Sequence, residues 1–304
     1  MDAAHRYADE VLEGLEADIG DEFDSSSEDM RELLGERLAE YEAGRADGDM
    51  GWRGAQAAMA VPVALECSRM SRRATEAAGE ASEAVLASVC VEGVNVTSYG
   101  VEIATGRPLF PNVIDQDAVD VLMQENGLLF HDPKPDGAKV QVWTDRRMSS
   151  ALTQGIMNGE SVPKIADRIS AVNGGNMAAA VRAARTAVTG AENAGRLIGM
   201  NRAEAMGINI RKRWLATLDI HTRDSHRKCD GEVVDIEDEF ANGLMFPGDP
   251  DGLPGEVYNC RCTMEGVVEE DQGGPRRSKL GGMSYDEWKE GRNEGAIDVW
   301  ELME

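Results

Sequence analysis

Trp214-Leu-Ala-Thr-Leu-Asp219-Ile-His221-Thr-Arg223-Asp-Ser-His226-Arg-Lys-Cys229-Asp230-Gly231 opens a stretch that runs through Phe240-Ala-Asn242-Gly243 and Pro247-Gly-Asp-Pro-Asp-Gly-Leu-Pro-Gly255 and closes on Tyr258-Asn259-Cys260-Arg261-Cys262. It gathers three of the five cysteines and two of the four histidines, so a site is sought here first. Trp214, Ala216, Leu218 and Ile220 alternate with Arg213, Leu215, Thr217 and Asp219, the two-residue period of a half-buried strand with Asp219 near its end. Thr222, Asp224 or Ser225 then caps a short helix in which His226 and Cys229, three apart, share a face. Asp230-Gly231 makes a turn. At the far end, extended backbone places Cys260 and Cys262 on one side and Arg261 on the other.

These residue types permit three chemistries. His226, Cys229, Cys260 and Cys262 offer four nitrogen and sulfur donors in two close pairs, a set that zinc takes in tetrahedral sites, although Cys-x-Cys is less diagnostic than Cys-x2-Cys. Alternatively, Asp219, Arg223, His226, Asp230 and Arg261 form a buried ion-pair and hydrogen-bond cluster that locks a Gly- and Pro-rich lobe without metal. A third reading has Asp219, His226 and Asp230 hold a hard metal or activate water, as a metal-dependent hydrolase or nuclease acting on nucleic acid would require. Against an enzyme, the sequence has no glycine-rich phosphate loop, no GxSxG elbow and no HExxH pair.

Composition sets the surroundings. The 304 residues are 42% hydrophobic but only 5% aromatic, with 33 glycines, which favours helices packed through small side chains. Acidic residues number 56 against 31 Lys plus Arg, a net charge of -25 that argues against general attraction to a nucleic acid backbone. No apolar run approaches the roughly 20 residues of a membrane span and no leader pattern is present, so a cytoplasmic setting with reduced thiols is expected.

Outward from the motif, residues 1–54 read as an acidic helical N-terminal segment. Val11, Leu12, Leu15 and Ile19 fall at helical spacing, Ser25-Ser-Ser27 breaks the pattern, and Met30, Leu33, Leu34 and Leu38 resume it; 44–54 reads as a hinge. Residues 55–146 read as a helical and mixed region: one or two Ala-rich helices to Val91, then short strands or extended connections carrying Val94, Val96, Val101 and Ile103, one helix near Gln116 to Gln124, a turn at His131 and extended chain over Val140 to Trp143. Two punctuated helices follow, one with Met148, Leu152 and Ile156, stopped at Gly159, and one opened by Ser161 and Pro163 and ended by Gly174-Gly175. Asn176 begins a further helix to about Met200, in which Arg182 and Arg185 share a face, either in salt bridges or turned to the motif. Residues 269–304 form a Gly-rich acidic tail, expected to be loosely ordered.

The order Trp214, Asp219, Thr222-Arg223, His226, Asp230-Gly231, Phe240, Asn242-Gly243, Pro247-Gly-Asp-Pro250, Glu256 and Asn259-Cys-Arg-Cys262 resembles the signature of the Mu F-like minor head proteins of tailed bacteriophages. The helical lead-in is similar too, in Gln154-Gly155-Ile156, Gly159-Glu-Ser161, Ala184-Arg-Thr186 and Asn193-Ala-Gly195, with a weaker likeness at Met283-Ser-Tyr285 and Trp288. The resemblance marks 147–268 as the family domain and implies a motif core of Trp214, Asp219, Arg223, His226, Asp230, Gly231, Asn259 and Arg261. It further implies a non-enzymatic head-morphogenesis protein of the virion, in the capsid interior near the portal, made in the host cytoplasm. Its partners would be the portal protein and other head proteins, with no membrane and no DNA contact predicted from charge. The fold class expected is α+β, with helix-rich N-terminal and middle regions and a small mixed C-terminal lobe of short strands.

Overall fold

The computed structural model describes residues 2–45, 48–110, 112–115, 137–269 and 282–293. The chain is α+β. Its helices are α1 (Ala3–Arg37), α2 (Ala39–Gly44), α3 (Met50–Thr105), α4 (Gly137–Met157) and α5 (Val162–Ala205) before the first strand, β1 (Ile210–Leu215). After it come α6 (Asp224–Cys229), β2 (Val233–Val234), α7 (Pro254–Val257), β3 (Thr263–Val268) and α8 (Tyr285–Asn293). The chain folds as two compact units: Met1–Glu13, Ser82–Asp132 and Arg185–Glu304 form one, and Gly14–Ala81 with Pro133–Ala184 form the other.

Among the described residues, the regular elements of the second unit are all helices. Met30, Leu34, Leu38 and Tyr41 pack with Ala60, Ala64 and Cys67 of α3, Met148, Leu152 and Ile156 of α4, and Ile165, Ala166 and Ile169 of α5. The repeats at three and four residues are those of amphipathic helices, so this core was readable as a pattern. Two expected breaks do not occur. α1 runs on through Ser25-Ser-Ser27, where Ser27 Oγ donates to the Phe23 carbonyl within the helix at 2.9 Å and so does not compete for the helix's own N–H groups. α5 runs on through Gly174-Gly175 because buried asparagines fix it on either side: Asn173 Nδ2 donates to the Phe23 carbonyl (3.0 Å), and Asn176 Nδ2 to Ser71 Oγ (2.7 Å). Those tertiary bonds outweigh a helix cost of about 1 kcal/mol per glycine. Val140 to Trp143, expected to be extended, lie in α4.

In the first unit the strands or extended connections expected after Val91 are the last turns of α3. A side chain added at Gly93 would collide with the Glu192 carbonyl of α5, and one at Gly195 with the Cys90 carbonyl of α3. The two helices therefore cross backbone to backbone, and glycine serves contact here rather than chain reversal. By length and composition α3 also passes as apolar enough to cross a membrane, but most of that window is buried in protein. The helix near Gln116 to Gln124 and the turn at His131 lie outside the described residues.

Three antiparallel strands follow in the order β2-β1-β3, with Lys212 opposite Val234 and Trp214 opposite Met264. β1 alternates as expected but begins four residues before Trp214, burying Ile210, Lys212 and Trp214. Leu218 and Ile220 lie past its end and are exposed. Part of the tail is ordered: in α8, Trp288 is buried and its Nε1 donates to Glu102 Oε2 at 2.8 Å, while Arg292 pairs with the same carboxylate.

Candidate metal centre

The lobe between Met206 and Val268 has little regular structure, and side chains bonding to backbone hold its loops. Gly231 (φ 78°) lets the chain turn after α6, so that its N–H donates to the Trp214 carbonyl at 2.9 Å. Asp230 Oδ1 accepts the Ala216 N–H at 2.9 Å, closing the same turn. After α7, Asn259 takes a left-handed conformation (φ 60°), which asparagine tolerates. Its N–H donates to Thr186 Oγ1 (3.0 Å) and its Oδ1 accepts from Arg185 Nη1 (2.7 Å), so Arg185 does reach the motif. Arg182, its expected face partner, lines a cavity of about 410 Å³ with Thr75, Trp143 and Asn176 in the helical unit.

The turn at Asn259 aims the next residues inward. Thr189 Oγ1 donates to the Cys260 carbonyl (2.9 Å) and Asn193 Nδ2 to the Cys262 carbonyl (3.3 Å), so α5 clamps the strand on both sides of Arg261. Extended alternation sends both thiols to one side, where Cys260 Sγ and Cys262 Sγ lie 3.6 and 3.5 Å from His226 Nδ1. All three side chains are buried, and their donor atoms lie within 4.8 Å of one another. The His226 ring packs edge-on against Trp214, which packs edge-on against Phe240. On its other side, Nε2 lies 3.2 Å from Glu256 Oε2, though not aligned with it as a hydrogen bond. Ser225 Oγ donates to that same carboxylate oxygen at 2.7 Å.

The two thiols share their chemistry. A hydrogen bond from Cys260 holds Cys262 well below the ordinary thiol range against the opposing effect of burial, with His226 adding to it. The same bond, with burial, pushes Cys260 up. The hydrogen bond between them thus favours ionisation at Cys262 over Cys260.

Cys229 does not join them. It is buried in the hydrophobic core of the lobe, and burial, then a hydrogen bond to Glu232, pushes its thiol up to about 11. Three residues on a helix leave side chains roughly 60° apart, and α6 ends at Cys229, so the shared face expected from spacing is only approximate. The cap is also not as expected: α6 starts from Arg223 with no side-chain cap, and Thr222 instead bonds to Asp219 Oδ1 at 3.1 Å.

The polar locking residues divide into separate contacts. Asp219 pairs with Arg261 at 2.6 Å, both about one-third exposed, and Arg223 donates to the Tyr258 carbonyl. Asp230 serves the backbone turn and His226 faces sulfur. There is no single buried ion cluster among these five. Nor do Asp219 and Asp230 join His226, so the hard-metal arrangement of a hydrolase is not assembled.

Three buried charged residues, Lys212, Glu192 and Arg196, add to the structure around the motif. Lys212 is fully buried, donates from Nζ to the Met245 carbonyl at 2.8 Å and lies over the Phe240 ring. Its position two before Trp214 in an alternating strand was the available signal. Glu192 and Arg196, four apart on α5, are buried together at 2.9 Å, joined by Asp2, by His5 and by Thr263. The four-residue spacing announces Glu192 with Arg196, but nothing local announces Asp2, which lies 194 residues from Arg196.

The family described as Phage Mu protein F like protein matches residues 146–265. The minor head protein GP7 of Bacillus phage SPP1 is 29% identical over 208 residues, covering 64% of this chain and 66% of its own length. An NAD(+)–arginine ADP-ribosyltransferase, EFV, of Enterococcus faecalis (strain ATCC 700802 / V583) is 34% identical over 157 residues, 47% of this chain. The chain spans only 31% of that relative, whose named activity is its own. No solved structure matches. The motif from Trp214 to Cys262, the matched domain around it and the likeness to a phage minor head protein agree: residues 146–265 form a domain similar to the Mu F-like minor head proteins of bacteriophages.

Proposed function

We propose that the chain is a structural component of the phage head, sited in the capsid interior near the portal, where it docks on the portal protein and assists head morphogenesis or genome delivery. The observation that carries this is the likeness to a minor head protein over 64% of the chain. The net charge of -25 fits a protein partner better than DNA, whose phosphates it would repel. Synthesis in the host cytoplasm before incorporation into the virion completes the reading. Co-expression with the portal protein and the other head proteins tests it, with co-purification on the portal and incorporation into heads expected. Assembly of heads that exclude the chain, with no portal binding, would sink it.

Within this role the lobe is a rigid module. Trp214, Asp219, Arg223, Asp230, Gly231, Asn259 and Arg261 hold its loops, and the cluster at His226 is read as a structural zinc site, because paired thiolates and an imidazole are donors zinc prefers.

A further inference from the structure

The geometry points to a zinc ion held by three donors of this chain, His226 Nδ1, Cys260 Sγ and Cys262 Sγ, with Glu256 positioning the imidazole and Cys229 outside the set. This rests on the zinc reading above and specifies its donor set. In a tetrahedral site with Zn–S of about 2.3 Å and Zn–N of about 2.0–2.1 Å, nitrogen and sulfur donors stand about 3.5 Å apart. Here the two separations are 3.6 and 3.5 Å. The side chains therefore already enclose a space of the right size, and both flanking carbonyls are anchored to α5.

The far side of the ring supports the same assignment. A metal-binding histidine presents one nitrogen to the ion and its other N–H to a carboxylate, which fixes tautomer and orientation. With Nδ1 facing sulfur, Nε2 is the nitrogen beside Glu256, and Ser225 holds that carboxylate in place. Nε2 is also a buried nitrogen without an aligned acceptor, and the nearby carboxylate gives it one after a small rotation. Cys229, turned to Glu232, stays a protonated thiol. Three protein donors leave the fourth position to water or a small exogenous donor. Zinc takes thiolates, so binding releases any thiol proton that the pair holds.

The test is elemental analysis of the full chain purified under reducing conditions, followed by replacement of zinc with Co2+, whose charge-transfer absorbance scales with the number of Co–S bonds. We expect one zinc per chain and the absorbance of two thiolates, unchanged in Cys229→Ser and lost in Cys260→Ser. Glu256→Gln should keep the two-thiolate spectrum but bind zinc about 10 to 100 times more weakly. The wild-type spectrum needs no variant to fold. A three-thiolate spectrum, or loss of metal in Cys229→Ser, would overturn the donor set while leaving a zinc site standing. Unchanged affinity in Glu256→Gln would overturn the positioning role, and absence of both metals would overturn the zinc reading itself. Portal co-purification is scored separately.

Discussion

The helical unit and the motif lobe solve the same problem in different ways. In the unit built from 14–81 and 133–184, aliphatic side chains at helical spacing meet in a continuous core. In the lobe, a helix of six residues, one of four and a two-residue strand leave many backbone groups to be satisfied by turns and by side chains. The lobe also has a core, centred on Trp214 with Phe240, Phe246, Met264 and the buried cysteines. The difference teaches that regular structure protects backbone polarity cheaply, and a loop-built module needs a specific donor or acceptor at each turn.

Trp214→Ala puts this contrast under the greatest stress. Removing a fully buried indole should destabilise the lobe by about 3–5 kcal/mol, against about 2–5 kcal/mol for Leu152→Ala in the helical core. Denaturant midpoints measured on both variants check this. If Trp214→Ala were nearly neutral, polar contacts alone would hold the lobe and the two regions would differ more than argued here.

Asn193→Leu sharpens the polar half of the comparison. Asn193 accepts the Met264 N–H at 3.0 Å and donates to the Thr189 and Cys262 carbonyls. Leucine keeps apolar bulk but strands these groups, at about 1–3 kcal/mol for each left unpaired. Thermal melting no lower than wild type would show that the lobe does not depend on such links.

Lys212 gives the lobe an alkaline pH dependence opposite in sign to that of the helical core, where burial pushes the Cys67 thiol up to about 12. Burial lowers the Lys212 ammonium to about 8 from 10.5, with Asp249 and Asp238 opposing the shift. At this residue the folded state therefore holds fewer protons than the unfolded chain between those values, so the Lys212 contribution to stability should rise with pH across that window, against the opposing contribution of the raised Cys229 thiol. Lys212→Met should remove that contribution in urea titrations at pH 7.5, 9 and 10, and a gap between wild-type and variant stability that stays constant across those values would contradict the assignment.

The smallest effect is expected at the rim. Burial opposes ionisation of Asp219, but the His221 N–H, Arg261 and Thr222 outweigh it and bring the carboxyl down to about 2. Its folded pKa being depressed, the contribution is present above the unfolded value of 3.8 and fades as pH falls toward 2. Asp219→Asn should lower stability by a small amount above pH 4, because the pair is partly exposed and screened, and the two stability profiles should converge as pH falls from 4 to 2.

The candidate site was half legible. Cys-x-Cys in extended chain predicts two thiols on one side, and they are there. His226 was selected with them by residue type. Cys229 was selected by residue type too, and by its three-residue spacing from His226, but it lies in the core at the end of its six-residue helix. Glu256 stood in the motif without a role, since only the fold brings its carboxylate from α7 to a ring on α6.

By itself the sequence determined the α+β class, the amphipathic faces of the long helices, the soft character of the donors and the family likeness. Each depends on residue type or on short-range periodicity, which the backbone imposes locally. The tertiary structure decided where helices do not stop, at Ser25-Ser-Ser27, Gly174-Gly175 and beyond Val91, and which donors meet. Those outcomes depend on bonds and close approaches between residues far apart in the chain, such as Asn173 with Phe23 and Gly93 with Glu192. Local propensities differ by about 1 kcal/mol or less for most residues, so one buried hydrogen bond or one tight helix crossing is enough to reverse them.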